Sequence, residues 1–226
     1  MESVGAYPVR SLPPKARAAY RAVSLLAKLR TRIEGSIPAI PGDAPCIFAF
    51  NHNDAAETLF AAAIAIKASG GRLVSFMVDW MFARAPLLGR IISLCEPILV
   101  YGKRARWAWL RRLMDRPASY SSVDEALSRL KSGAWLGIFP EGTRRGKEKC
   151  LGKPRKGLYE LSRRSGALVL PVGIEKRPWP LRRVFRFGAP IELWRETDPA
   201  KAGDIVMKEL SRLSRKPYRE HEEVPA

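Results

Sequence analysis

Histidine is the scarcest reactive residue in this chain: His52 and His221 are the two present in 226 residues. His221 lies in a charged tail, which leaves His52 as the one histidine placed to serve as a general base. Cysteine is nearly as rare. Cys46, Cys95 and Cys150 have no metal-ligand spacing and cannot all pair with one another, so neither a zinc module nor a disulfide framework is expected, and a reducing compartment is. No ligand cluster implies a metal. Long apolar runs are missing as well. The longest strictly apolar stretch, residues 59–66, falls far short of the roughly 20 residues a spanning helix needs. Residues 1–11 lack the apolar centre of a secretory signal. There is no Gly-x-Ser-x-Gly elbow and no cysteine beside His52, so a serine or cysteine nucleophile has no support.

Acidic residues are also few. Twenty-two Asp and Glu stand against 40 Lys and Arg, a net charge of +18. Such a field favours anionic partners, whether nucleic acid, an acidic carrier protein or lipid headgroups. The apolar fraction of 46% is that of an ordinary globular chain, and the length suits one domain with a real core.

Periodicity assigns an alternating pattern. Residues 15–34 fit a basic amphipathic helix, with Ala19, Val23, Leu26 and Ile33 near helical spacing, the pattern either of a helix lying on a membrane surface or of a solvated helix packing its apolar stripe on the domain. Strands are expected at 46–50, 72–78, 98–101, 134–139, 167–174, 183–187 and 191–193. Helices are expected at 54–68, 80–94, 104–116, 122–132, 154–165 and 200–214, the fourth opened by a Ser122/Glu125 capping box. Strands alternating with helices predict an α/β fold: a single domain with a central, mostly parallel or mixed sheet covered by helices, preceded by an amphipathic helical segment.

Two blocks carry the chemistry. Asn51-His52 sits at the end of a buried strand that runs into a helix, and ligands in open α/β sheets bind at such ends. Glu57 falls in the first turn of that helix, within reach of the imidazole, where a carboxylate fixes the tautomer and supports the imidazolium. The same residue completes an Asp54/Glu57 capping-box pattern, which needs no chemistry at all. Downstream, Phe139-Pro140-Glu141-Gly142-Thr143-Arg144 ends another strand. Gly142 permits a tight turn, and Arg144, Arg145 and Lys147 add cations suited to phosphate.

These two blocks, followed by Leu170-Pro171-Val172-Gly173-Ile174, occur in an order that resembles the PlsC-like glycerolipid acyltransferases, which include 1-acylglycerol-3-phosphate acyltransferases. The resemblance spans about residues 40–195, with Lys156-Gly157 opening a helix between the later motifs. It implies acyl transfer from acyl-CoA or acyl carrier protein, with no cofactor, to the hydroxyl of a lysolipid, at the cytoplasmic face of a membrane. By motif, His52 is the base and Glu57 its partner, Glu141, Gly142, Thr143 and Arg144 bind the acceptor and its phosphate, and Pro171 belongs to the acyl or donor pocket. Two positions depart from the family pattern. Glu57 stands where Asp is usual, as in the related lipid A late acyltransferases, and Gly102 stands where an arginine is expected, with Lys103 or Arg104 able to supply the charge. The resulting division is a membrane-surface segment over 1–37, an acyltransferase domain over 38–216 and a polar tail over 217–226.

Tryptophans among arginines, Trp80 near Arg84 and Trp107 and Trp109 among Arg104, Arg106, Arg111 and Arg112, suit a lipid interface, the alternative being that half of these aromatics pack into the core. Anionic membrane lipids, a lysolipid substrate and acyl carrier protein are the expected partners. A non-catalytic lipid-surface protein is the principal rival. A nucleic-acid binder fits the charge, but no recognition motif accompanies it, and no nucleic acid is expected.

Overall fold

The computed structural model describes residues 14–41, 44–84, 86–93, 96–102, 119–143, 148–178 and 183–219. The helix expected at 104–116 and the Trp107/Trp109 cluster lie outside them, as do residues 220–226 of the polar tail.

Among the described residues seven strands form one sheet: β1 (Thr31–Glu34), β2 (Cys46–Phe50), β3 (Val74–Asp79), β4 (Ile98–Val100), β5 (Trp135–Ile138), β6 (Leu168–Lys176) and β7 (Arg183–Phe187). Their order is β1-β7-β6-β2-β5-β3-β4, and every neighbouring pair is parallel except β6–β7. The helices are α1 (Pro14–Arg30), α2 (Ala55–Ala68), α3 (Trp80–Ala83), α4 (Pro86–Ser93), α5 (Ser122–Lys131), α6 (Gly157–Ser165) and α7 (Pro199–Ser214). The α/β expectation holds, with a mostly parallel sheet covered on both faces.

β2 shows why. All five of its residues are buried. Cys46, Phe48 and Phe50 point into a core with Ile64 and Ala65 of α2 and Val172 of β6, while Ile47 and Ala49 point into a second core with Leu127 and Leu130 of α5 and Val206 and Leu210 of α7. A strand apolar on both faces belongs in the middle of a helix-covered sheet, where each large side chain contributes roughly 1.5–3 kcal/mol. The two cores are also locked by close approaches. A Cβ on Gly137 would lie 2.4 Å from the Phe76 ring, and one on Gly173 would lie 2.4 Å from the Leu213 backbone at the end of α7.

Three local expectations are corrected. Residues 31–34 leave the helix and pair with β7 as an edge strand. The cap of α5 is Ser121, whose hydroxyl accepts the Asp124 N–H at 3.3 Å, one residue before the expected position. Around 191–193, a single bridge from Ile191 to Val169 runs into a short 3-10 turn at Leu193–Arg195 instead of a strand.

Candidate active site

β2 and β5 are parallel neighbours, so their carboxyl ends lie side by side. Each ends in one of the two chemical blocks. The loop after β2 is clamped first by Asn51, which is fully buried. Its side-chain NH2 donates to the Ile174 carbonyl at 3.0 Å and its oxygen accepts the Ile174 N–H at 2.6 Å, adding one more rung toward β6. His52 follows with its side chain 12% exposed and its ring stacked on Phe139 at 4.1 Å between centroids.

Glu57 lies behind the histidine, fully buried. One oxygen accepts the Asn53 and Asp54 N–H groups at 2.6 and 3.2 Å, and the other accepts the Asn53 side-chain NH2 at 2.9 Å. Asp54 accepts the Glu57 N–H at 3.3 Å in return. This is the reciprocal capping box. The same carboxylate stands 3.8 Å from His52 Nδ1, a charge contact that is too long to be a hydrogen bond. Glu57 therefore caps the helix and faces the imidazole at the same time.

The turn after β5 places Glu141 on the histidine from the backbone side. Its two oxygens accept the His52 N–H at 3.0 Å and the Gly152 N–H at 2.7 Å. Burial pushes this carboxyl above its ordinary value, against the pull of those two donors. Its place is thus under the His52 loop, and both its oxygens are occupied by protein rather than turned to an acceptor phosphate. Gly142 adopts a positive φ of 63°, which makes the turn possible. A Cβ there would also press on the Arg155 stem at 3.1 Å.

A cavity of about 480 Å³ opens at these strand ends. His52, Gly142, Thr143, Gly102 and Arg155 line its polar side, and Met77, Phe82 and Ile92 are among its apolar lining. Arg155 was not singled out by motif. Its backbone N–H donates to the Pro140 carbonyl at 2.8 Å, and no carboxylate among the described residues pairs with its guanidinium. Pro171 sits within β6 opposite Ala49, where its carbonyl accepts the Gly188 N–H at 2.9 Å, and it does not line the cavity. Lys103, Arg104 and Arg144 lie outside the described residues. Among the described residues no group of His, Cys, Asp and Glu is arranged to hold a metal.

A protein-family model described as Acyltransferase matches residues 29–175. Among solved structures, the chain is similar to the 1-acyl-sn-glycerophosphate (LPA) acyltransferase PlsC from Thermotoga maritima, with a TM-score of 0.58 and 17% identity over 88% of this chain and 77% of that one. At that identity the likeness is one of fold. Curated proteins searched with the same sequence give no match.

Proposed function

The chain belongs to the Acyltransferase family and is an acyltransferase, and on that premise we propose that it moves a fatty acyl group from acyl-CoA or acyl carrier protein to the hydroxyl of a lysophospholipid-type acceptor, with 1-acylglycerol-3-phosphate the best candidate. One observation carries this reading: His52 faces a cavity that also holds the Arg155 side chain and an apolar wall, with a buried carboxylate behind the ring. The apolar wall suits an acyl chain, and the cation suits a phosphate.

In this reading the His52 imidazole takes the proton of the acceptor hydroxyl as its oxygen attacks the thioester carbonyl. The tetrahedral intermediate collapses, the carbon–sulfur bond breaks, and the imidazolium returns its proton to the departing thiolate. Glu57 supports the imidazolium through Nδ1. Asn51 and Glu141 hold the loop that carries the ring. Thr143 and Arg155 receive the acceptor headgroup, joined by Lys103, Arg104 or Arg144.

The membrane surface is the place of work in this proposal. Leu25, Leu26 and Leu29 of α1 are 64%, 58% and 66% exposed, beside Arg21, Lys28 and Arg30. An apolar ridge flanked by cations favours an anionic bilayer. No described helix is long and apolar enough to cross one.

The test is acyl transfer by purified protein in mixed micelles, with labelled acyl donors and a panel of lysolipids that includes a lyso-ornithine lipid. Wild type should form product, and His52→Ala should lose on the order of a thousandfold in kcat. Folded protein that sediments with anionic vesicles yet transfers nothing to any acceptor would instead support a non-catalytic lipid binder. Failure to sediment would remove the membrane location.

A further inference from the structure

Among the described side chains, the buried polar atoms without a hydrogen-bond partner are His52 Nδ1, Ser75 Oγ and Arg183 Nε. Two of the three flank one carboxylate. His52 Nδ1 lies 3.8 Å from one Glu57 oxygen, and Arg183 Nε lies 3.8 Å from the other. Buried donors are rarely left unpaired, because each such group costs about 1–3 kcal/mol. A pair of orphans on either side of the acid that serves the catalytic histidine therefore calls for a functional explanation.

Arg183 reaches this position from the first residue of β7, far from either sequence block. It is held on two sides. Its Nη2 donates to Asp54 Oδ2 at 2.8 Å, and its guanidinium carbon sits 5.3 Å over the Phe60 ring of α2. Its side chain is only 13% exposed. The arginine is thus fixed by Asp54 and Phe60, and its Nε is left aimed at Glu57.

We propose that Arg183 is a positioning residue for the acid–base pair, forming an Arg183–Glu57–His52 line in which the carboxylate is held between two cations during the reaction. This rests on His52 acting as the base. When His52 takes the substrate proton, the line reads cation, anion, cation. Without Arg183 the buried carboxylate loses the fixed cation beside its second oxygen, so its aim at Nδ1 is set less tightly, while its pull on the imidazolium, no longer shared, grows. The guanidinium is permanently charged, so it sets the carboxylate before the proton moves. The other charged groups around the line are Asp54 on the α2 start, Lys176 of β6 at 3.6 Å from Asp54, Glu141 beneath the His52 N–H, and Lys216 at 3.3 Å from the Asn53 oxygen.

Arg183→Gln and Arg183→Lys test the proposal. In the acyl-transfer assay, Arg183→Gln should lower kcat roughly ten- to hundredfold with KM for both substrates unchanged. The acid limb of its pH–rate profile should move to higher pH, because removing the fixed cation leaves the imidazolium facing a less compensated carboxylate. Arg183→Lys should recover part of the rate and most of the limb position, since it keeps the charge and loses only the fork. A second readout needs no turnover. NMR titration of the His52 ring, assigned against His52→Ala with His221 as the other histidine, should shift its midpoint upward in Arg183→Gln and little in Arg183→Lys. An unmoved midpoint in folded Arg183→Gln overturns the proposal. Equal rate losses in the two variants that track a drop in melting temperature, with unchanged pH profiles, also overturn it by assigning Arg183 to structure alone. If wild type transfers no acyl group but the midpoint moves, the functional reading fails while the charge line stands.

Discussion

Glu57 and Glu141 are two buried glutamates at neighbouring strand ends, and each accepts backbone N–H groups. They differ in what they offer the histidine between them. Glu57 lies behind the ring, 3.8 Å from Nδ1, with Arg183 at its other oxygen. Glu141 bonds the His52 backbone and the Gly152 backbone, and burial pushes its carboxyl up. One acid faces the ring, the other the backbone of the loop. Motif order alone cannot separate them, because a glutamate at a strand-end turn and a glutamate in a first helical turn look equally chemical in one dimension.

The comparison breaks most sharply at Glu57→Gln. The neutral amide keeps the size but loses the charge facing the imidazolium, and it must turn an NH2 toward one of the donors that now bond the carboxylate. Activity should fall on the order of a hundredfold in kcat. KM should hold, because Glu57 is fully buried and is not among the residues lining the cavity. A variant with wild-type kcat would reduce Glu57 to a helix cap.

Glu141→Gln should cost less rate, roughly ten- to hundredfold, and more of it through a displaced loop. One amide oxygen can keep only one of the two N–H partners, so stability should fall by about 1–3 kcal/mol. The pH dependence has a definite sign. Because the folded value of Glu141 is raised above 4.5, its contribution is fully present below 4.5 and is lost as pH rises through the raised value. Asp54 runs the other way. Burial alone would raise it, but the Arg183 hydrogen bond, the Arg183 charge and Lys176 hold it below 3.8, so its contribution is present above 3.8 and lost as pH falls through the depressed value. Denaturant unfolding between about pH 4 and pH 7 should therefore show the gap between wild type and Glu141→Gln narrowing with rising pH. A gap that widens would assign Glu141 to the opposite class, with Asp54.

Much of the fold was legible because strands such as β2 and β5 are apolar on both faces and end near punctuating residues. Cys46–Phe50 lies between Pro45 and Asn51, and Trp135–Ile138 stops before Pro140. What escaped was set by partners distant in sequence. Thr31–Glu34 continues the helical spacing of α1 and becomes a strand only because the β7 edge is there to pair with it. The bonds of Asn51 to Ile174 and of Asn53 to Glu57 have no local signature and exist only once β6 and the α2 start come within bonding distance. Arg183 belongs to no motif. Its place beside Glu57 follows from β7 packing antiparallel on β6, a sheet order that local pattern does not encode. Pro171, chosen by motif, faces Gly188 within the sheet instead of the cavity, since a residue's position along a strand does not tell which open space it borders.

Arg155 offers the finest division between the two glutamates, because it is built on the Glu141 turn yet faces the cavity. Its N–H bonds the Pro140 carbonyl at 2.8 Å, and its stem passes over Gly142 where a Cβ would come within 3.1 Å. Arg155→Ala removes the guanidinium but keeps the backbone bond, so the His52 loop should stay in place. The expected result is a rise in KM of roughly tenfold for a phosphate-bearing acceptor, the value of a charge-assisted hydrogen bond, with kcat unchanged. For a lysolipid lacking the phosphate, KM should not move. Gly142→Ala attacks the same contact from the other side, since its methyl must displace the stem and also strain a backbone at φ 63°. If Arg155→Ala lowers kcat equally for acceptors with and without phosphate, the arginine supports the loop together with Glu141, and the acceptor charge must be met by Lys103, Arg104 or Arg144.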